Sequence, residues 1–516
     1  MYWWVNMRKN KKTGLSRLTL ALLTAKMIVA LGLSSNLVAA ADLGGPRTMS
    51  PLAKPSDYED KIFSPDPTYE DKPYSVKEQI NIYGNKKPVY RVDPLLELFR
   101  PVYQEGPFDQ GDASLGSKNL IFPGLSVFGD WRTAVAFNDN GTNEVGQIAT
   151  RLNLDIDLKI TGTERIHAFV RPIDRGGEFT RYEFSGGDAD NGKFILDGNI
   201  ETLFFEGDIG SIWSGITDTH ATFDWPITFG LTPLLFQNGI WLEDAFVGGA
   251  TTLQAKSSPL LDITNMDVTV FAGFNKVTTP AITELDGALN DDDLRIFGIT
   301  TFIERKESYW ELGYGVIDGK DEFDDLGYHS LAIAHTKRYG GWLSNSLRAI
   351  WTLGQDPSNN SQQTADGVML IAENSLITSK PSTLVPYFNV WAGFDRPQPL
   401  ADDSGLLKNT GINFETDALT GFPKLDDTGH DTFGGALGVS YLFNLDRQLV
   451  VEVATVQIMG DENEVGRAAI NDQYALGVRY QHPITPAWIV RADAMYGILK
   501  DADDISGARL EFRRKF

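Results

Sequence analysis

The sequence predicts an all-β protein, an antiparallel transmembrane β-barrel of about 18 strands (with 16 as the alternative count) behind a proline-rich N-terminal extension. Three observations predict it. Period-two segments recur from about residue 125 to the end, short and long connections alternate between them, and an export leader stands at the front.

The leader comes first. Arg8, Lys9, Lys11, Lys12 and Arg17 precede a short apolar run, Met27 to Leu33, and small residues follow at Val38-Ala39-Ala40-Ala41. That is the layout of a cleavable signal. Lys26 interrupts the run, so the ~20 apolar residues of a membrane-anchoring helix are not available. Cleavage after Ala40 or Ala41 makes residues 1–41 a signal peptide, with Met7 as an alternative start. Its removal takes away six basic residues and no acidic ones, so the formal charge of −23 becomes −29. Such a surface argues against nucleic acid, whose phosphates need a basic face. A mean hydropathy of −0.20 leaves no room for a bundle of membrane helices. The absence of cysteine excludes disulfides, thiolate metal sites and a lipid-modified Cys.

Residues 42–123 form a proline-rich arm or plug, holding eleven of the 24 prolines and two copies of Tyr-Glu-Asp-Lys, at 58–61 and 69–72. Proline at that density blocks helix interiors and central strands alike. The expectation is an extended arm with one short helix at Pro94–Arg100; the alternative is a plug that enters the barrel.

Residues 124–516 carry the barrel. In Ile148–Ile160, Ile148, Thr150, Leu152, Leu154, Ile156, Leu158 and Ile160 fall on one face; Arg151, Asn153, Asp155, Asp157 and Lys159 fall on the other. Only a strand separates these sets, and thirteen residues suit a tilted membrane crossing. Gln473–Gln481, Trp488–Gly497 and Ala508–Phe516 repeat the pattern; Leu384–Phe394 and Leu343–Gly354 do so less cleanly. Five strands (about 125–137, 148–160, 166–174, 193–206 and 220–236) precede thirteen from Asp244 onward. Glu206–Trp225, with Gly207, Gly210 and Gly215, reads as a strand end or a loop folded inward.

The connections alternate. His482–Ala487, Asn444–Arg447, Thr378–Thr383, Tyr339–Gly341 and Ile303–Glu307 are short. Ile498–Gly507, Asp461–Asn471, Asp395–Thr432, Gln355–Asp366, Asp318–Tyr328 and Lys276–Asp293 are long, and several are acidic. Short turns on one side and long loops on the other are what a membrane barrel requires. Lys276–Asp293, Asp318–Tyr328 and Asp395–Thr432 are accordingly expected to face outward, and the 444–447 turn inward.

On these strand dyads, this alternation and the terminal Phe516, with Leu510 and Phe512 behind it, residues 125–516 resemble a general porin-type outer-membrane β-barrel of Gram-negative bacteria. Arg514 departs from the terminal pattern. The resemblance implies an outer-membrane location among lipid and lipopolysaccharide. It also implies recognition by barrel-assembly machinery through Phe516, passage of small hydrophilic solutes, and a homotrimer, since such porins are often trimers.

Few residues offer chemistry, so no enzyme activity and no cofactor are expected. The six histidines lack metalloprotease spacing, and no G-x-S-x-G elbow occurs. Asp188-Ala-Asp190-Asn-Gly192 resembles the start of a calcium loop but lacks the closing Glu. More informative are the pore-lining candidates Arg151, Asp155, Asp157, Arg479, Arg491, Asp493, Arg509, Glu511 and Arg513. Opposed charges across a water-filled wall set ion preference, or else simply pair with one another. Trp131, Trp310, Trp391, Tyr441, Trp488, Tyr496 and Phe512 are candidates for aromatic girdles. The favoured function is passive diffusion of small hydrophilic solutes or ions. The alternatives are a scaffold binding a partner through its long acidic loops, and an outer-membrane hydrolase.

Overall fold

A computed structural model of the chain describes residues 92–102, 111–187, 189–283, 292–358, 363–415, 418–443 and 447–516. Within them the wall is a closed barrel of 18 strand positions. The first are Gly124–Asp139, Glu144–Lys159, a divided third position, Ile200–Asp208 and Pro226–Phe236; thirteen more run from Leu242–Ser258 to Ile505–Lys515. Gly124–Asp139 closes the ring by pairing with Ile505–Lys515, from Asp130↔Lys515 to Asp139↔Ser506. Closure pairs the first strand with the last, so neither is an open sheet edge.

Alternation decides which face is which. Trp131, Leu312, Trp351, Leu437, Leu476, Leu510 and Phe512 are exposed on the outer face, while Arg348, Glu452, Asp493, Arg509 and Glu511 are buried inside. Each set occupies every second residue, as the pleat demands.

The core lies inside the barrel, where connections from the end opposite Phe516 fold back. Asp395–Thr432 was expected to face outward. Instead Leu400, Leu406, Leu407, Phe414, Leu419 and Leu425 are buried. In Lys276–Asp293, Val277, Ala281 and Ile282 are buried as well, while 284–291 lie outside the described residues. Trp391 is not a girdle residue: it is buried on the inner face, edge-on to Phe414 at 5.0 Å.

Three local expectations also change. The 94–100 segment is not helical; Leu96–Phe99 is a strand paired to Gly124–Val127. The third wall position is divided, with Arg165–Val170 beside the lower half of Glu144–Lys159 and Glu178–Ser185 beside its upper half. Glu206–Trp225 contains a helix, Ile209–Thr217, capped by Asp208, whose Oδ1 accepts from Ser211 N at 2.7 Å. A side-chain acceptor at the N-cap satisfies one of the free first-turn amides.

Candidate functional site

The inner wall of the last three strands and the first two carries a charged network. Arg479 Nε donates to Asp493 Oδ1 at 2.7 Å, Arg491 Nε to Asp493 Oδ2 at 2.9 Å, and Arg509 Nη2 to Asp493 Oδ2 at 2.7 Å. Glu511 receives Arg132 Nη2 at 2.7 Å, across the closing seam. The inward loop supplies a further carboxylate: Glu415 pairs with Arg479 and, at 3.3 Å, with Arg491. Burial pushes the Glu415 carboxyl up, but the two guanidinium groups outweigh it and hold it below its ordinary value. Phe422 of the same loop lies under Arg509, 5.2 Å from guanidinium to ring centre. These are charge-assisted contacts in fixed forks, which hold geometry as well as charge.

The remaining candidates are spread along the wall. Arg151 Nε donates to Asn153 Oδ1 at 2.8 Å and stands 3.9 Å from Asp174, which Arg171 also approaches at 3.3 Å. Asp157 lies 3.6 Å from Arg165 and 3.8 Å from His167. Asp155, Asp157, Asp130 and Arg513 line a vestibule of about 740 Å³ at the Phe516 end, where Arg513 pairs with Asp130. Asp188 lies outside the described residues, and Asp190 accepts from Tyr182 Oη at 3.2 Å. Among the described residues no cluster of three or more metal-ligating side chains occurs.

Two residues that sequence reasoning missed hold the inward elements. Glu452 is buried and takes four donors: Tyr387 Oη at 2.6 Å and Ile412 N at 3.0 Å on Oε2, Asn413 N at 3.0 Å and Asn413 Nδ2 at 2.8 Å on Oε1. Three of those donors belong to the loop, so one wall carboxylate fixes its turn. Trp241, at the tip of the hairpin joining Pro226–Phe236 to Leu242–Ser258, is fully buried and donates Nε1 to Ser330 Oγ at 3.0 Å. Its ring lies where Gly313 has no side chain: a Cβ there would stand 2.6 Å from it. The signals were present in the sequence, as apolar residues in an apparently external loop and glycines in the facing strands.

The result is a lumen filled on one side by apolar packing and lined on the other by paired charges.

No family model matches the chain, and no curated protein does. Solved structures do. Pseudomonas aeruginosa OpdK with vanillate is similar at a TM-score of 0.50 and 12% identity, over 76% of this chain and 98% of that one. P. aeruginosa OccK2 (OpdF) gives 0.49 at 12% identity, covering 76% and 97%. P. aeruginosa OccK11 (OpdR) gives 0.48 at 10%, covering 76% and 96%. At such identities the likeness concerns the fold. The chain has the fold of a porin-type outer-membrane barrel, closed by 18 antiparallel strands.

Proposed function

We propose that the chain is an outer-membrane channel for passive diffusion of small hydrophilic solutes or ions. One observation carries the reading: a closed wall with an apolar outer face and a charged inner face. Such a wall is stable in lipid because its strands pair with one another around the ring, and it encloses a polar path. In this orientation the Phe516 end faces the periplasm and the long connections begin outside. Residues 1–41 are then a cleaved leader and residues 42–123 a periplasmic arm. Homotrimer formation and recognition of Phe516 by assembly machinery belong to the same proposal.

The inward course of Asp395–Thr432 favours a channel with a built-in constriction over a scaffold presenting that loop to a partner. Around the constriction, Arg132, Arg479, Arg491 and Arg509 face Glu415, Asp493 and Glu511, an excess of one positive charge. Mild preference for anions follows, and a small carboxylate solute, as vanillate is in the OpdK structure, suits such a site. The test is conductance in planar bilayers. Arg479→Gln with Arg491→Gln should move the reversal potential away from anion selectivity. Absence of any conductance from the native protein would remove the channel reading altogether.

A further inference from the structure

We infer that the barrel wall carries a lateral portal, opening in its outer half between the strands Ile200–Asp208 and Pro226–Phe236, through which amphipathic solutes pass between the lumen and the bilayer. The inference rests on the channel reading above.

The wall pairing shows where the opening lies. Pro226–Phe236 pairs with Ile200–Asp208 from Pro226↔Asp208 to Leu231↔Leu203, and the ladder stops there. Beyond that point Thr232–Phe236 pair only with Leu242–Phe246. On the other side, Val247↔Asn275 is the last pair that Leu242–Ser258 makes with its neighbour. Asn275 is that neighbour's own last residue, and Thr278 N beyond it donates to Asp244 Oδ2 at 2.8 Å, so the hairpin from Thr232 to Phe246 leaves its ladder on the Ile200–Asp208 side alone.

It goes inward. Trp241 at its tip is buried against Gly313 and Ser330, Leu400 N donates to Trp241 O at 2.7 Å, and Glu243 N donates to Ala401 O at 3.0 Å. Leu234 and Phe236 roof a cavity of about 590 Å³ shared with Arg165, Glu206 and Thr252. The bend has a hinge. Gly230 pairs with Gly248 where the hairpin departs, Gly230 has φ +129°, and the register shifts between Val247 and Gly248. A Cβ on Gly248 would stand 2.0 Å from Ala272 O, and one on Gly230 2.5 Å from Leu203 O. Glycines and a bulge at one level are how a sheet turns a corner.

What remains beside the departed hairpin does not fill its place. Segment 195–199 turns toward the other side, with Asp197 N donating to Pro172 O at 2.8 Å and Arg171 N to Asn199 O at 2.9 Å. The gap is bounded on one side by Ile200–Thr202 and on the other by the departing Thr232–Phe236, none of which pair across it. Leu231 is midway along an 11-residue strand, the length of one crossing, so the aperture lies in the outer half of the bilayer. Phe194, Leu196, Ile200 and Leu235 are exposed around it. Where the strands part, a cavity of about 340 Å³ is lined by Asp155, His167, Phe169, Thr202, Phe204 and Pro233. An apolar rim leading to aromatic and charged groups suits a solute with an apolar body and a polar end.

The chain has no cysteine, so engineered pairs report cleanly. Leu203→Cys with Leu231→Cys joins paired positions and should oxidise readily in the membrane. Asn199→Cys with Leu235→Cys would be equivalent if the ladder continued, and should not. A disulfide forming at the second pair as fast as at the first overturns the portal. Bridging the second pair with a long bis-maleimide should slow uptake of N-phenyl-1-naphthylamine by cells several-fold and leave ion conductance unchanged; unchanged dye uptake also overturns it. If that pair fails to assemble, Leu235→Cys alone, alkylated with a bulky maleimide, gives the same reading. Loss of conductance in the native protein would instead remove the channel reading, which the dye does not measure.

Discussion

Replacing Glu452 tests whether the inward loop is held as described. Its two oxygens take two donors each, and two of the four are backbone amides, Ile412 N and Asn413 N. In Glu452→Leu neither amide has an acceptor while the loop stays docked. A buried donor left without a partner costs about 1–3 kcal/mol, so the two together cost about 2–6 kcal/mol. In Glu452→Gln one oxygen remains. Tyr387 and the Asn413 side chain can turn to suit the amide, so one backbone N–H is orphaned, at about 1–3 kcal/mol. Easier burial of the neutral group brings that figure toward its lower end. At about 2 kcal/mol the ratio of open to docked loop rises roughly thirtyfold. The barrel ladders do not involve this carboxylate, so assembly should be normal. Single-channel recordings should show larger and noisier currents, greater for Leu than for Gln. Trypsin added from the loop side should cut at Lys408 or Lys424 in the variant and spare the native protein. Native currents and native resistance in Glu452→Leu would refute the docking argument.

Other outcomes follow from the same geometry. Leu154→Arg should block assembly, because an outward Arg near mid-membrane costs about 2–4 kcal/mol, while Asp155→Asn should assemble normally by heat-shift on a gel. Trp241→Ala should cost about 3–5 kcal/mol of hairpin docking and raise conductance without altering assembly. The loop's response to pH should reveal two opposed groups. Burial pushes Asp426 up to about 6, so its contribution to docking is present below the ordinary carboxyl range and lost as pH rises through 6. Burial pushes His430 down to about 4, so its contribution is present above the ordinary histidine value and lost as pH falls through 4. From pH 7 to 5, Asp426→Asn should therefore loosen the loop, His430→Gln should tighten it, and the native channel should change less than either. Trypsin nicking across that range measures it.

Strand number and wall order were legible because lipid demands an apolar outer row, and Ile148–Ile160 shows that row without interruption. What was not legible sits where the inner face is apolar too. Met369, Ile371 and Trp391 point inward, yet they meet Gly429, Phe414 and their neighbours rather than water. There the sequence loses its polar alternate, which is why Leu384–Phe394 read as an imperfect strand and Trp391 as a girdle residue. Connection length likewise says where a segment starts and ends but not which way it folds. The readable correction lay in composition: Leu406, Leu407, Phe414, Leu419 and Leu425 are too apolar for a loop in solvent. The charged site was partly legible. Asp493 and its arginines lie on neighbouring strands, whereas Glu415 joins them from a loop at least 64 residues away in sequence.

The seam between Gly124–Asp139 and Ile505–Lys515 has a bearing on how the molecule is made. Its partners are separated by nearly the whole wall: Arg132 and Glu511 are 379 residues apart, Asp130 and Arg513 are 383 apart. Contacts of such range form late, since the intervening chain must be ordered before they are made. Both ion pairs sit on the inner face at this last junction. A slip of one residue would turn Arg513 and Glu511 toward lipid. In the observed register Arg132 stands opposite Arg513 and Asp130 opposite Lys515, so each carboxylate reaches its arginine diagonally across the seam. The alternation of faces thus rules out the single slip at the last junction, and Phe516 completes it by exchanging both backbone hydrogen bonds with Gly129, at 2.9 and 3.1 Å.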